Sequence, residues 1–463
     1  MTGAIPASYA GKTALVVGAA RSGLAAAEFL IAHGARVILT DKKSSEDLTA
    51  ATAPLHKLSK SPDQLRFEFG GHRPESFRRC DLVVISPGVP VSLPIFEESR
   101  SAGIPIIAEV ELAYRHLEGK ILGITGSNGK TTTTTLVAEL LCGSGLKGHI
   151  AGNIGTPLIR YAQGSAADDI YATELSSFQL ETIQEFRPHA GAILNLTPDH
   201  LDRYSDFEAY ISAKRRIFMN QQAGDFAVLN ADDPRTAGLA AEVRSTPVWF
   251  SRLQKVECGA FIRDGLVCYR SGEFEKAMFP VSEIRLRGSH NLENVLASCT
   301  LAILAGADPL SFGETIKNFM GVEHRIEWVA EIGGVQYFND SKATNIDATV
   351  KSLEAFAGNI LLIAGGRDKG GDFSILKSLV RERVKHLVLI GEAAGKIREA
   401  LADVAETSDA GSMLEAVKMC RRLAQPGDVV LLAPACASFD MFDNYEHRGC
   451  AFKQAVHAVA HEV

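Results

Sequence analysis

A glycine-rich turn in the middle of the chain has the clearest potential for chemistry. The apolar run KILGIT leads into residues 126–129, GSNG, and Lys130 and Thr131 follow at the start of a helical pattern. Main-chain N–H groups in such a turn bind phosphate oxygens, a lysine adds positive charge, and a threonine hydroxyl can ligate Mg²⁺. The spacing is tighter than G-x-x-x-x-G-K, since Ile124 stands where that pattern needs its first glycine. The turn predicts phosphate binding, and the alternative is a strand-to-helix turn without a ligand.

Glu174 and His200, which come later in the chain, could place a metal ion beside this turn. Glu174 ends the strand candidate DIYATEL, and His200 follows the strand candidate AGAILNL. Parallel strands of an α/β sheet present their carboxyl ends at one edge, so both side chains are expected near Lys130. Carboxylate, imidazole and hydroxyl groups can surround Mg²⁺, although imidazole is an unusual ligand for so hard an ion. Taken alone, Glu174 also fits a helix cap and His200 an ordinary loop histidine.

A second glycine-rich turn, GAARSG at residues 18–23, opens the first strand–helix unit. With Asp41 18 residues after Gly23, it resembles the dinucleotide-binding fingerprint, but Ala20 replaces the second glycine of that pattern. This glycine lets the backbone approach a pyrophosphate, so a methyl group here argues against NAD. The turn could hold a nucleotide diphosphate in another pose at the helix N-terminus, or no ligand. The residues leave both interpretations open.

Three polar loops in the last third of the chain could hold a small anion. NDSKATN (339–345) and GGRDKGGDF (365–373) contribute Lys342 and Lys369, and APACASFDMF (433–442) contains Ser438 in a small-residue turn. Cationic side chains and loop dipoles suit an anionic substrate. The alternative is the ordinary polar loops of any α/β domain. By contrast, Lys214 lies in an amphipathic helical pattern, and nothing in its chemistry favours it over its two arginine neighbours.

The elements that must position these residues alternate between strand and helix. This alternation predicts three consecutive α/β domains, the central one with a parallel sheet covered on both faces. We expect a Rossmann-like N-terminal domain over residues 1–109, a central P-loop ATPase-like domain over 110–320, and a Rossmann-like C-terminal domain over 321–463.

Composition narrows the class of protein. The chain has 463 residues and a net charge of −7, which argues against a nucleic-acid-binding face. No apolar run approaches the ~20 residues of a membrane helix, and the first residues lack the pattern of a signal peptide. Eight cysteines without C-x-x-C spacing predict reduced thiols. We therefore expect a cytoplasmic protein, with a monomer as the default.

Taken together, the motifs resemble those of the Mur ligase family, the ATP-dependent amide-forming enzymes of peptidoglycan synthesis. The resemblance covers the whole chain, and NDSKATN is its most selective motif because sister ligases have differently composed loops there. It rests on TGSNGKTT, GNIG (152–155), ELSSFQLE (174–181), DHLDRY (199–204), HNLENVLA (290–297), HR (324–325), NDSKATN and APACASFD. In this family the first domain binds the UDP end of the substrate, the central loop holds ATP, and the third domain brings the amino acid.

The resemblance implies a role for each matching residue. Lys130 would contact the ATP phosphates, Thr131 and Glu174 would serve one Mg²⁺, and His200 with a carbamylated Lys214 would serve a second. The implied ATP-binding residues are Gly126, Ser127, Asn128, Gly129, Lys130, Thr131, Thr132, Asn291, Asn294, Arg325 and Asp340. The implied residues for the UDP substrate are Arg21, Ser22, Asp41, Ser86 and Gly88, with Asn153 nearer the reacting end. Those implied for D-glutamate are Lys342, Thr344, Lys369, Ser438, Phe439 and Tyr445.

Two of these positions depart from the family pattern, since Phe439 stands where leucine is familiar and Tyr445 where phenylalanine is expected. Both substitutions preserve an apolar wall. The implied reaction adds D-glutamate to UDP-N-acetylmuramoyl-L-alanine through an acyl phosphate formed from ATP. The alternatives are a sister amide ligase for another amino acid and a nucleotide-driven ATPase switch. An NAD oxidoreductase is a distant third, given Ala20.

Overall fold

The computed structural model describes residues 4–200 and 203–460. Leu201 and Asp202 of the DHLDRY motif lie outside the described residues. The described part contains three β-sheets flanked by helices, which confirms the predicted α/β class. Contacts divide it into two compact units, the first running to residue 281 and including 293–315, the second comprising 282–292 and the residues from 316 onward. No helix among the described residues is long and apolar enough to cross a membrane.

The first sheet is parallel throughout, in the order β3-β2-β1-β4-β5. Its strands are β1 Thr13–Val17, β2 Arg36–Asp41, β3 Leu65–Phe69, β4 Leu82–Ile85 and β5 Ile106–Ala108. Its helices are α1 Arg21–Ala32, α2 Ser45–Leu58, α3 Pro74–Arg79, α4 Phe96–Ser101 and α5 Glu109–Tyr114. The strand order reverses between β1 and β4, which is where open α/β sheets bind ligands. The 18–23 turn follows β1 and Ser86 follows β4, so both lie at this switch point.

The central sheet has the order β14-β13-β12-β11-β10-β9-β6-β8-β7. Its strands are β6 Lys120–Thr125, β7 Lys147–Gly152, β8 Asp169–Glu174, β9 Ala190–Ile193, β10 Phe226–Asn230, β11 Thr246–Ser251, β12 Cys258–Arg263, β13 Leu266–Ser271 and β14 Phe274–Pro280. The helices that follow along the chain are α6 Lys130–Gly143, α7 Ser177–Leu180, α8 Phe207–Arg215, α9 Pro234–Gly238, α10 Ser289–Ala305 and α11 Phe312–Asn318.

The prediction of an entirely parallel central sheet was wrong at one edge. Strands β12, β13 and β14 pair antiparallel. The first hairpin turns at Asp264 and Gly265, whose φ angles are 50° and 72°. An Asp-Gly pair with two positive φ angles is the preferred two-residue hairpin turn, so this signal was present in the sequence.

The third sheet has the order β15-β16-β20-β17-β18-β19, and its first pair is antiparallel. Its strands are β15 Glu327–Ile332, β16 Val335–Asn339, β17 Ile360–Gly365, β18 Val384–Ile390, β19 Glu406–Asp409 and β20 Val429–Leu432. Its helices are α12 Ile346–Glu354, α13 Lys377–Arg383, α14 Ala394–Leu401, α15 Met413–Leu423 and α16 Tyr445–Ala460. Short 3₁₀ helices lie at Leu158–Tyr161, Arg216–Phe218, Leu239–Ala241, Val281–Glu283, Pro309–Ser311 and Phe373–Leu376.

Candidate functional site

The 126–129 turn joins β6 to α6 in a conformation that needs both of its glycines. Gly126 has a φ of 150° and Gly129 a φ of 85°, which side-chain-bearing residues rarely adopt. A Cβ atom on Gly129 would also collide with the side chain of Asn294, and one on Gly126 would meet Leu194 Cβ at 3.1 Å. Predicted ATP-binding residues 129 and 294 are therefore in direct contact.

The turn is held in shape by the segment that follows β9. Ser127 N donates to Asn195 O at 3.0 Å, and Asn128 N donates to the side-chain oxygen of Asn195 at 2.9 Å. The Asn195 amide in turn donates to Asn128 O at 3.1 Å, and Ser127 Oγ donates to Thr197 O at 2.8 Å. The N–H groups of Ser127 and Asn128 thus hold the turn's shape. Asn195 is a residue that the sequence analysis missed.

Two lysine ammonium groups converge on one carbonyl of this turn. Lys130 Nζ donates to Gly126 O at 2.9 Å and to Ser127 O at 2.8 Å. Lys214 Nζ donates to the same Gly126 O at 2.8 Å. Both lysine side chains are therefore at the turn, and the positive charge of Lys130 would stabilise a phosphate there.

Lys214 is buried, contrary to what its place in an amphipathic pattern suggested. It is 1 % exposed, and its pKa is lowered well below the usual value, first by burial and then by the charge of Lys130. Its neighbours have other partners: Arg215 pairs with Glu242 at the surface, and Arg216 donates to Leu180 O and Ile183 O. The structure therefore separates Lys214 from the two arginines that the sequence could not distinguish from it.

Tyr210 supports Lys214 from one turn earlier in α8. The ammonium lies 4.5 Å from the centre of the Tyr210 ring, and the phenol donates to Ser127 Oγ at 3.3 Å. The sequence analysis missed Tyr210, although its spacing of four residues from Lys214 places both on one helix face. Burial raises the pKa of Tyr210, so the phenol remains a hydrogen-bond donor at neutral pH.

Glu174 and Thr131 are brought together as predicted. Thr131 Oγ1 donates to one carboxylate oxygen of Glu174 at 2.8 Å, and Asn153 Nδ2 donates to the other at 2.9 Å. Glu174 is 2 % exposed at the end of β8. The alternative helix-cap role falls to Ser176, whose side chain caps α7. A buried carboxylate bonded to a hydroxyl supplies oxygen ligands of the kind that Mg²⁺ prefers.

His200 lies on the loop after β9 with a half-exposed side chain. Its φ is 55°, and its ring packs edge-on against Phe178 with centroids 4.9 Å apart. Asp199 Oδ2 lies 3.7 Å from its Nε2. Within residues 4–200 and 203–460, no three His, Cys, Asp or Glu side chains form a group that could hold a metal ion. A metal at His200 would thus need a ligand of another kind.

The 18–23 turn is occupied by side chains of the protein itself. Ala19 N donates to Asp41 Oδ2 at 2.7 Å, and Ser86 Oγ donates to Gly18 O at 2.9 Å. Arg21 reaches across to the carbonyls of Asn153 and Gly155, at 3.2 Å each. The structure thus gathers the predicted residues Arg21, Asp41, Ser86 and Asn153. Of the other predicted substrate residues in this region, Ser22 is half-buried and Gly88 is exposed.

In the second unit, Asn291 and Arg325 line a cavity of about 330 Å³ together with Arg287, Trp328 and Phe338. The Arg287 guanidinium lies 4.9 Å from the Phe338 ring centre. Positive charge beside aromatic faces suits a planar, anionic ligand.

The predicted ATP-binding residue Asp340 is a buried carboxylic acid that accepts a hydrogen bond from Ser352. Burial raises its pKa to about 6.

The residues predicted for the amino acid differ in burial. Lys342 Nζ lies 3.6 Å from the ring centre of Tyr445, and Ser438 is buried. Lys369 is exposed, and the side chain of Phe439 is 62 % exposed, so it is not part of a closed apolar wall here. Thr344, also predicted for the amino acid, is half-buried.

Arg448, which the sequence analysis missed, joins two of the polar loops. It is fully buried and donates to Ser341 Oγ, Ser341 O and Cys436 O at 2.9, 2.8 and 3.1 Å. It therefore ties the 339–345 loop to the 433–442 loop. No sequence signal distinguished it from a surface arginine.

Three family models match consecutive parts of the chain. They describe a Mur ligase MurD-like N-terminal domain over residues 12–108, a Mur ligase middle domain over 124–302 and a Mur ligase glutamate ligase domain over 324–436.

Relatives of similar length carry a common name. A UDP-N-acetylmuramoylalanine--D-glutamate ligase of Koribacter versatilis is 47% identical over 452 residues, 98% of either chain. A protein of the same name from Acidobacterium capsulatum is 48% identical over 448 residues, 96% of either chain.

Two solved structures share the fold at low sequence identity. A pseudomurein peptide ligase type C from Methanothermus fervidus is 17% identical with a TM-score of 0.61, covering 97% of this chain and 100% of the other. A MurF ligase from Thermotoga maritima, in complex with ADP, is 14% identical with a TM-score of 0.60, covering 98% of this chain and 97% of the other.

Proposed function

The chain belongs to the Mur ligase family, and we propose that it joins D-glutamate to UDP-N-acetylmuramoyl-L-alanine at the expense of ATP. Relatives that carry this activity in their name match it at 47% and 48% identity over nearly the full length. The observation that carries the proposal is the convergence of Lys130 and Lys214 on Gly126 O, beside the bonded pair Thr131 and Glu174. A lysine at a glycine-rich turn, with a hydroxyl and a carboxylate for Mg²⁺, is the set of groups with which P-loop enzymes hold the phosphates of a nucleotide.

We assign the ATP phosphates to the 126–129 turn with Lys130, Thr131 and Thr132. The positive charge of Lys130 and the N-terminus of α6 favour an anion there. We assign the adenine, the ribose and further contacts to the phosphates to Asn291, Asn294, Arg325 and Asp340. The cavity beside Asn291 and Arg325, with its arginines and aromatic rings, supports this assignment.

The donor set fits one Mg²⁺ at Thr131 and Glu174. Both supply oxygen atoms, and the carboxylate is buried and oriented by Asn153. Bound there, Mg²⁺ would neutralise charge on the phosphate oxygens. A second ion would need more ligands than His200 alone.

A carbamate on Lys214 would complete that second set. An amine adds to CO₂ only when it is unprotonated, forming a nitrogen–carbon bond and releasing one proton. Burial and the charge of Lys130 lower the pKa of Lys214, which favours the reactive neutral form. The product is anionic, so it would place a negative charge beside the positive charge of Lys130. We therefore assign Lys214, as its carbamate, and His200 to a second Mg²⁺.

We assign the UDP end of the substrate to Arg21, Ser22, Asp41, Ser86 and Gly88 at the switch point of the first sheet. Asn153 lies nearer the reacting end, because its side chain bonds Glu174 and its carbonyl accepts from Arg21. D-Glutamate is assigned to Lys342, Thr344, Lys369, Ser438, Phe439 and Tyr445. Domain boundaries at 1–109, 110–320 and 321–463 are proposed with these roles.

The chemistry follows from the partners. A carboxylate oxygen of the alanine attacks the γ-phosphorus of ATP, the bond to ADP breaks, and an acyl phosphate forms. The neutral amine of D-glutamate then attacks the acyl carbon, loses a proton, and expels phosphate. Lys130 holds positive charge where the anions approach one another, and binding the partners together supplies much of the rate.

Phosphate release from ATP and Mg²⁺ tests this function. We expect release that requires both UDP-N-acetylmuramoyl-L-alanine and D-glutamate. Release with a different amino acid would move the protein to a sister activity. Release independent of both substrates would contradict the ligase assignment and favour a nucleotide-driven switch.

A further inference from the structure

Arg203 connects two loops that lie more than a hundred residues apart in sequence. It follows His200 on the loop after β9, and its guanidinium donates to Pro87 O and to Val89 O, at 3.1 Å each. These carbonyls belong to the loop after β4, which we call the 86–89 loop. One side chain that follows a strand of the central sheet therefore holds two carbonyls of a loop that follows a strand of the first sheet.

The same guanidinium also packs against the ring of Phe178. Its central carbon lies 3.6 Å from the centre of the Phe178 ring, which is a close cation–π contact. The edge-on contact with His200 described above involves this same ring. Phe178 lies in α7, the short helix that begins just after Glu174. The Phe178 ring thus contacts both Arg203 and the predicted metal-binding residue His200.

The 86–89 loop reaches the other predicted substrate residues through Ser86. Ser86 Oγ donates to Gly18 O, and a Cβ atom on Gly18 would clash with the Ser86 side chain. Val89 N donates to Ser86 O at 3.0 Å, which closes the loop into a turn. A displacement of the 86–89 loop would therefore disturb the 18–23 turn as well.

We propose that Arg203 is a positioning residue for the UDP-bearing substrate. It fixes the 86–89 loop relative to the phosphate-binding turn, so that the end of the substrate held at the first sheet delivers its carboxylate to the ATP site. The inference rests on the proposed function, since it assigns the 86–89 loop to that substrate. The proposed role is placement of the substrate, because the bonds of Arg203 to Pro87 O and Val89 O fix the 86–89 loop.

The shape of arginine explains why this residue type serves here. Its planar fork presents several N–H groups at fixed spacing and can bond two carbonyls while stacking on an aromatic ring. A lysine would keep the charge but offers one compact ammonium group. Arg203→Lys therefore separates the effect of geometry from that of charge, and Arg203→Met removes both.

The test measures binding of UDP-N-acetylmuramoyl-L-alanine and of Mg²⁺-ATP by calorimetry, together with KM for each substrate, on the full chain. For both variants we expect Kd and KM for the UDP substrate to rise roughly tenfold, while the values for ATP stay within about twofold. Arg383→Met is the matched control, because Arg383 also donates to two carbonyls, Leu353 O and Phe356 O, in the other unit. It is expected to lower Tm without separating the two substrates.

The outcomes distinguish this inference from the proposed function. A wild-type protein that neither binds nor turns over the UDP substrate contradicts the proposed function, and the inference falls with it. A wild-type protein that binds it, with Arg203 variants that bind it equally well or lose ATP affinity to the same extent, overturns the inference alone. Full recovery by Arg203→Lys would also overturn it. Should Arg203→Met fail to fold, Phe178→Leu, which removes the supporting ring, is expected to give the same selective change.

Discussion

The chain contains two glycine-rich strand-to-helix turns, at 18–23 and 126–129, which differ in what surrounds them. The first is filled by its own protein, because Asp41 accepts the hydrogen bond of Ala19 N and Ser86 packs against Gly18. The second draws in two ammonium groups, from Lys130 and Lys214. Two glycine-rich turns therefore differ in chemistry: a carboxylate lies at the first, and two lysine amines lie at the second.

In both turns the glycines set the backbone shape, whereas residues distant in sequence set the charge at the turn. At the first turn, the carboxylate of Asp41 would repel a phosphate placed at Ala19 N. A substrate there must bind around the turn. At the second turn, the positive charge of Lys130 lies at the turn's own carbonyls, and burial beside Lys130 lowers the pKa of Lys214. The second turn is therefore the better phosphate site, and the predictions below test this contrast.

The largest effect is expected for Lys130→Ala. Loss of the charge that faces the phosphates should lower kcat/KM by about a thousandfold, comparable to removing a preorganised electrostatic donor. Steady-state phosphate release measures it. Lys147→Ala is the matched control, because Lys147 is an exposed lysine paired with Asp168, the residue just before β8. Near-normal activity of Lys130→Ala would remove the cationic side of the comparison.

Lys214→Ala tests whether the second lysine of the 126–129 turn acts as its carbamate. If the lysine acts as its carbamate, the variant should lose about a hundredfold in kcat, and added formate or acetate should restore part of the activity by supplying the missing carboxylate. Arg215→Ala, one residue later and paired with Glu242 at the surface, is expected to retain activity. Loss of activity without any rescue by short carboxylates would contradict the carbamate and leave Lys214 as a simple cation.

Asp41→Ala tests whether the carboxylate at the 18–23 turn acts on the UDP substrate alone. The turn loses the acceptor of Ala19 N, so KM for the UDP substrate should rise by roughly tenfold while KM for ATP stays unchanged. Asp63→Ala, at an exposed aspartate of the same sheet domain, serves as the control. A parallel rise in both KM values would show that Asp41 supports the fold as a whole and does not act on one substrate.

A smaller effect is expected on the stability of the fold, at the buried carboxyl group of Glu109. Glu109, at the start of α5, is buried and accepts a hydrogen bond from Ile159 N beyond β7, and burial raises its pKa to about 7. The folded state therefore binds a proton that the unfolded state has released between the usual glutamate pKa, about 4.3, and about 7. Stability attributable to this group is complete below that window and falls as the pH rises through it.

Glu109→Gln removes this titration while keeping an acceptor for Ile159 N. We expect the variant to have a higher Tm than the wild type at pH 8, by a few degrees, and little difference at pH 5. Thermal unfolding at the two pH values measures the change. A constant difference across pH would indicate a packing effect in place of the buried charge.

The two turns could be predicted from the sequence, but the residues that give them different charge could not. Both turns and the strands before them were recognisable, because glycine punctuation and apolar runs are local signals. The partners were less accessible: Asn195 and Lys214 lie far along the chain from residue 126, and their burial depends on packing of the sheet. The antiparallel edge was missed although Asp264 and Gly265 signalled its hairpin. Side-chain burial, as for Arg448, is a tertiary property with no local signature.

The smallest effect is expected where the sequence drew its sharpest distinction, at Ala20. From the sequence, its methyl group is the expected obstacle to a dinucleotide, but Ala20 is exposed at the N-cap of α1 in an extended conformation. Glycine is at least as good as alanine at this cap. Ala20→Gly should therefore leave Tm and KM for the UDP substrate nearly unchanged, within about twofold for KM.

The same variant should also fail to bind NAD, because Asp41 still accepts the hydrogen bond from Ala19 N at the position where a pyrophosphate would approach the helix. Titration of NADH fluorescence with wild type, Ala20→Gly and the double variant Ala20→Gly with Asp41→Ala separates the two obstacles. Saturable binding by Ala20→Gly alone would mean that the methyl group, and not the carboxylate, excludes the dinucleotide. Binding by neither single nor double variant would place the exclusion in the packing of Ser86 against Gly18, which both variants retain.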